Sequence, residues 1–389
     1  MSDPGRDELI TLVRAGRILT PEPTDATDIL IADGRIAALG SGLKPPTGWP
    51  VNVVEARDLT AVPAFIDQHV HLTGGGGEGG WHTRCPEISA RDITAMGIAT
   101  VVGVLGTDSI SRSPADLLAK VRALRIEGVS AYMYTGAYRV PPPTLTGDLQ
   151  KDLAWFTEVI GVGEIAISDH RSSQPRQDEI ERLVADTRVG AMLAGKRGIC
   201  HFHLGDGERG LAPLRRLLSE TEIPAEQVIP THVNRRHELL AEAAEYAKEF
   251  GACVDVTAFD DAADDEHSAY HAVRTLLARG VRADRITISS DCNGSQPVFD
   301  DEGLVTGTRA ATNTALLRDW QRLVHDEVLT LERALGLISG NVARVLGLQD
   351  RKGRLAPGYD ADISVLDDRL RPHLTIAMGR VLYQRSGGP

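Results

Sequence analysis

The sequence has no cysteine pair that could work together. Cys85, Cys200, Cys253 and Cys292 are scattered, with no CxxC. No disulfide framework is expected, and a reducing cytoplasm is the default compartment. Long apolar runs are missing too. Residues 99–105 are typical, a strand's length and far below the ~18 residues needed to cross a bilayer. Basic charge is in deficit, with 42 Lys+Arg against 54 Asp+Glu and a net charge of −12. Such a balance repels phosphate backbones and excludes general nucleic-acid binding. The opening residues, Met1 to Glu8, lack a basic segment followed by an apolar one, so no secretory signal is expected. Low-complexity tracts are absent. What remains is ordinary globular composition, 42% hydrophobic and 25% charged. Its 389 residues fit one large α/β barrel with an appendage, or two to three smaller domains.

The two ends of the chain share a texture of short strands. Residues 27–40 read as a hairpin turning at Asp33-Gly34, a type I′ signal. Residues 51–55 and 59–62 continue in that style. Residues 353–366 alternate around a turn at Pro357-Gly358, and residues 375–383 follow. The ends could therefore pair into one small β domain. Between them strand, loop and helix repeat. Candidate strands are 65–71, 99–106, 131–138, 163–168, 198–204, 228–233, 253–258 and 286–291. Helices are expected at 114–127, 176–191, 236–250 and 268–279, with Gly128, Gly251 and Gly280 as stops. Eight such units match a (β/α)8 TIM-like barrel. A doubly wound sheet is the alternative, but no GxGxxG follows the first strand. The expected division is 1–62 and 347–389 for a β-sandwich and 63–346 for the barrel.

Barrel chemistry collects at the C-terminal strand ends. This sequence places His69-Val70-His71 on strand 1, Glu164 on strand 4, His201-Phe202-His203 on strand 5, His232 on strand 6 and Asp291 on strand 8. Residues i and i+2 of a strand face one side, so each HxH presents two imidazoles together. Such ligands suit Zn²⁺, and an open position for water suits hydrolysis. Taken singly, His232 reads as a core histidine, Glu164 as an arginine partner and Asp291 as a turn cap. Their shared placement makes coincidence the poorer explanation. His203, nearer the strand end, is the expected ligand, and His201, a layer deeper, is expected to be structural. The glycines of 74–77, followed by Glu78, allow close backbone approach to a ligand. Arg171 and Arg235 converging on one mouth would recognise a carboxylate bidentately. Tyr138 divides evenly between a presented phenol and a surface residue.

The stretch Pro63-Ala-Phe-Ile-Asp-Gln-His-Val-His71 resembles the first-strand signature of the amidohydrolase superfamily. More narrowly, residues 69–78, 106–112, 135–138, Ile167-Ser-Asp-His-Arg171, Thr231-His-Val-Asn-Arg235 and Ser290-Asp-Cys-Asn-Gly-Ser-Gln-Pro297 resemble the isoaspartyl (β-aspartyl) dipeptidases, over almost the whole chain. The resemblance implies two zinc ions, one held by His69 and His71 and the other by His203 and His232. Asp291 would ligate the first and accept the proton of the attacking water. Gly76, Gly77, Glu78, Thr107, Tyr138, Arg171, Arg235 and Ser295 would contact a small dipeptide substrate, and Tyr138 would donate to the oxyanion. A homo-oligomer is also implied; nucleic-acid and membrane partners are not expected.

One position departs from that pattern. The family bridges its metals with a carboxylated lysine, and Glu164 stands there instead. Glutamate offers the same charge and two oxygens on a shorter arm, so a bridged two-metal site is the expectation and a one-metal site the alternative. Two other functions compete: a cyclic-amide hydrolase of the dihydroorotase or hydantoinase type, and a metal-free scaffold. Glu78 and Arg235 argue against the first, the histidines and Asp291 against the second.

Overall fold

The computed structural model describes residues 10–260, 265–299 and 305–386; the opening segment read above for a signal lies outside them. The barrel strands are Phe65–Val70, Ile98–Gly103, Ser130–Thr135, Val159–Ile167, Ile199–Leu204, Val228–Thr231, Val254–Thr257 and Ile286–Ser289. All eight are buried along their whole length, as parallel strands covered by helices must be. The first six form one parallel sheet and the last two another. Packing of the sixth strand on the seventh, and a parallel bridge from Val70 to Cys292, complete the circle.

Several strands stop short of the ends expected from the alternation. The sixth ends at Thr231 and the eighth at Ser289, because His232 (φ 62°) and Asp291 (φ 52°) take left-handed conformations that no strand ladder accommodates. The fourth begins at Val159, four residues early. Its glycines disguised it. A Cβ at Gly161 would lie 2.2 Å from the Ile199 carbonyl oxygen, so glycine there permits close strand approach.

Helices Pro114–Glu127, Gln177–Leu193, His237–Phe250 and Ala269–Ala278 lie within two residues of expectation. The first is capped by Ser113, carries proline in its opening turn and stops at left-handed Gly128. Their apolar faces cover the strands in one large core.

The chain ends do pair. Ile363–Leu366 runs antiparallel to Asn52–Pro63 in an eight-stranded sheet that also takes in Ile10–Leu19 and the hairpin at Asp33-Gly34. Side chains from both ends, among them Val13, Ile31, Ile363 and Ile376, share a second core. The architecture is thus a TIM-like barrel carrying a small β-sandwich. Where the sandwich meets the N-terminal ends of the barrel strands, buried Lys352 reaches Asp362 at 2.5 Å, Asp360 at 3.0 Å and the Ser130 hydroxyl at 2.9 Å. Arg351 adds a 2.8 Å contact to Asp360.

Candidate active site

At the opposite, C-terminal face, the strand ends gather four imidazoles and two carboxylates in a water-excluded cluster. His69, Glu164, His203 and His232 are at most 1% exposed. Glu164 lies between two histidine pairs. Its Oε1 is 3.5 Å from His69 Nε2 and 3.4 Å from His71 Nε2. Its Oε2 is 3.0 Å from His203 Nδ1 and 3.5 Å from His232 Nε2. Asp291 Oδ1 lies 3.4 Å from His69 Nε2 and 3.1 Å from His71 Nε2.

Two three-residue groups have ligand atoms close enough to share an ion: His69, His71 and Asp291, and His69, Glu164 and His232. His203 falls outside both. Its Nδ1 meets the Tyr138 hydroxyl at 2.9 Å and its Nε2 meets Asp169 at 2.9 Å. The donor set fits a borderline-soft dication. His69 Nε2 is buried without a hydrogen-bond partner although two carboxylates face it, the spacing of ligands around a common centre.

The electrostatics differ from ring to ring. Burial pushes the His232 imidazole down to about 3, helped by the Arg235 charge, so its ring is neutral and its lone pair available. Burial also disfavours charge on His69, but Glu164 and Asp291 more than offset it and lift the ring to about 9. Burial works against ionised Glu164 and Asp291 too. Surrounding imidazoles win and hold both carboxyls well below the usual carboxylate range.

Above the cluster opens a cavity lined by His71, Gly76, Glu78, Thr107, Tyr138, Arg171, Arg235, Asp291 and Ser295; of the expected substrate residues, Gly77 alone lies off its lining. Glu78 accepts a 3.0 Å hydrogen bond from the Thr107 hydroxyl and sits 3.8 Å from the Arg171 guanidinium. Arg171 also lies over the Tyr138 ring, 5.4 Å from its centroid. Arg235 Nε is buried without a partner, a guanidinium ready for an anion. Tyr138 is buried, which keeps its phenol protonated and able to donate.

The glycine loop is built rather than loose. Gly76 has φ 76°, and a Cβ there would lie 2.4 Å from the Thr83 carbonyl oxygen. Arg112, only 4% exposed, donates to the carbonyls of Thr73, Gly75 and Cys85 at 3.0–3.2 Å and holds the loop to its neighbour.

Sequence reasoning missed Arg112, Asp169 and Asp255. Asp255 lies beneath the cluster and accepts from Gln68, Thr231, Thr287 and Ser289 at 2.6–2.7 Å. A carboxylate inside an otherwise apolar strand was its signal. His201, read as structural, makes a 2.9 Å contact from Nε2 to His69 Nδ1 and stacks on Tyr134.

A model of the amidohydrolase family matches residues 241–383. The β-aspartyl dipeptidase of the thermophilic, keratin-degrading Fervidobacterium islandicum AW-1, solved in complex with the β-Asp-Leu dipeptide, is 40% identical; the match covers 97% of each chain with a TM-score of 0.90. A second structure of a β-aspartyl dipeptidase from that organism is 37% identical over 96% of this chain and 97% of that one, with a TM-score of 0.86. Among curated proteins, the dihydroorotase of Elusimicrobium minutum is 24% identical, covering 87% of this chain and 83% of the relative.

Proposed function

We propose that this chain, which belongs to the β-aspartyl dipeptidases of the amidohydrolase family, hydrolyses the isopeptide bond of β-aspartyl dipeptides at a two-zinc centre bridged by Glu164. The observation that carries the substrate is the placement of Glu78 beside Arg171 and Arg235 in one cavity, directly above the histidine cluster. A β-aspartyl dipeptide keeps its α-amine and its α-carboxylate free. An anion and two guanidiniums beside the scissile bond match that pair of charges.

His69, His71 and Asp291 would hold one zinc, and His203 and His232 the other. Glu164 turns one oxygen to each histidine pair, which supports its role as the shared ligand. Zinc held there would supply Lewis acidity to the scissile carbonyl and to the attacking water. The protein does the rest. Arg171, Arg235 and Glu78 fix the aspartyl end. Asp291, ionised at neutral pH, takes the proton from the attacking water and returns it to the departing amine. Tyr138 donates its hydroxyl to the oxygen that gains charge as the carbonyl carbon becomes tetrahedral. Gly77, Thr107 and Ser295 complete the substrate contacts, and the acting form is a homo-oligomer in the cytoplasm. No described helix is long and apolar enough to cross a membrane.

The test is a hydrolysis panel of β-Asp-Leu, α-Asp-Leu and dihydroorotate with zinc-loaded protein. Cleavage of the first alone is expected. Equal cleavage of both dipeptides, or turnover of dihydroorotate alone, would overturn the reading.

A further inference from the structure

Asp169 joins the two halves of this site. Its side chain is fully buried and both oxygens are in use. Oδ1 accepts from the Arg171 backbone N–H at 2.7 Å and from Arg171 Nε at 3.1 Å. Oδ2 accepts from Arg171 Nη2 at 2.7 Å and from His203 Nε2 at 2.9 Å. One carboxylate therefore grips the guanidinium through a two-pronged contact and an imidazole through a third.

The local backbone is shaped to hold it there. Ser168, just past the fourth strand, has φ 51° and turns the chain inward. Its hydroxyl donates to the Gly210 carbonyl at 2.8 Å. Gly205 and Gly207 pack against this corner so closely that a Cβ would lie 2.4 Å from Asp169 Cβ or 2.6 Å from the Ser168 carbonyl oxygen. Gln174 donates to the Asp169 carbonyl at 2.8 Å. A surface carboxylate that merely neutralised Arg171 would need none of this.

We infer that Asp169 is a positioning residue that sets the tautomer of His203 and the pose of Arg171 together, so that metal retention and recognition of the dipeptide carboxylate depend on one side chain. Both ring nitrogens of His203 face a carboxylate, Nε2 at 2.9 Å from Asp169 and Nδ1 at 3.0 Å from Glu164. Because Nδ1 and Glu164 would share the ion, the ring proton belongs at Nε2, where Asp169 accepts it. Nδ1 then presents its lone pair toward Glu164 Oε2, 3.0 Å away, where the second ion would lie. A histidine ligand that donates its other N–H to a carboxylate is fixed in ring orientation and made more basic. On the other side, the grip on Arg171 holds its guanidinium over Tyr138 and beside Glu78.

This inference rests on the proposed dipeptidase reading. Asp169→Asn tests it, because the amide keeps the size but cannot accept from both donors. Zinc per chain is measured after dialysis against a fixed free-zinc buffer, and KM and kcat for β-Asp-Leu at saturating zinc. We expect zinc affinity at one equivalent to fall by about 10–100-fold. KM should rise about tenfold or more while kcat changes far less. Asp169→Asn combined with Arg171→Ala should show the KM of Arg171→Ala alone but retain the zinc defect. Should Asp169→Asn not fold, ¹⁵N-histidine NMR of the wild-type protein gives the same answer. His203 protonated at Nε2 supports the role, and protonation at Nδ1 overturns it. Unchanged zinc affinity and KM in a folded Asp169→Asn protein overturn the inference while wild-type cleavage of β-Asp-Leu leaves the dipeptidase reading standing. A wild-type protein that neither holds zinc nor cleaves β-Asp-Leu overturns both.

Discussion

The barrel has a buried charge cluster at each end, and the two are made differently. At the sandwich seam, Lys352 and Arg351 meet Asp360 and Asp362 at 2.5–3.0 Å, cation against anion. At the strand C-termini, imidazole nitrogens and carboxylate oxygens mostly face one another at 3.0–3.5 Å, and buried His69 Nε2 has no hydrogen-bond partner. At the seam each carboxylate faces a cation that the chain itself supplies, although Asp360 Oδ1 is left without a hydrogen bond, and the seam's work is to join two domains. The upper cluster has donors in excess around a common centre, two of them, His232 and Asp291, on left-handed backbone. Left-handed backbone at two of these groups, and imidazoles and carboxylates converging on a common centre, mark the end built for a ligand.

The sharpest way to break this contrast is at Asp291. Asp291→Asn is nearly isosteric and should leave thermal stability almost unchanged while kcat falls by about three orders of magnitude or more. Near-normal turnover would remove the proton-transfer role. The seam should answer in the opposite sense. Lys352→Met leaves buried Asp362 without a cation and Asp360 with Arg351 alone, and should cost about 3–5 kcal/mol of stability in denaturant unfolding. The folded fraction should keep wild-type kcat/KM. Activity loss without destabilisation would erase the distinction between the two ends. A step smaller, Arg235→Ala should lower kcat/KM for β-Asp-Leu by about 2–5 kcal/mol equivalent while zinc content stays constant. Equal kcat/KM would detach Arg235 from the substrate.

The smallest effect concerns pH. Burial alone would raise the Asp360 carboxyl, but Lys352 and Arg351 overcome it and hold its pKa below the usual carboxylate range. A depressed carboxylate pKa stabilises above the unfolded value of about 3.9, and that contribution is lost as pH falls through the folded value. Thermal unfolding should therefore lose stability below about pH 4, and Asp360→Asn should flatten that slope. An unchanged slope would assign the acid sensitivity elsewhere.

Much of the fold was legible because it rests on local signals. The Asp33-Gly34 turn, the Ser113 cap with Pro114 and the stop at Gly128 each fix one element by backbone chemistry alone. The strand ends were less legible, since His232 and Asp291 leave the ladder through left-handed conformations that tertiary packing imposes. Both HxH pairs, Glu164 and Asp291 could be picked out because several strands repeat one placement. Asp169 and Arg112 could not. Both lie in stretches that carry the family resemblance, but their partners His203 and the Thr73 carbonyl are 34 and 39 residues away, and the local sequence does not announce them. Gly161 and Gly163 hid half of the fourth strand for a related reason, because what they accommodate belongs to the fifth.

The account turns on Glu164 as a ligand shared by two ions, and zinc stoichiometry tests that directly. Wild type and Glu164→Gln are dialysed free of bicarbonate and analysed for zinc by elemental analysis, with activity read on the same samples. A glutamate needs no carbon dioxide to become a carboxylate, so wild type should keep about two equivalents. Glu164→Gln should lose about one of them, with most of its activity, since a neutral amide neither bridges nor balances two dications. Equal zinc and equal rates in the two proteins would contradict the shared-ligand role.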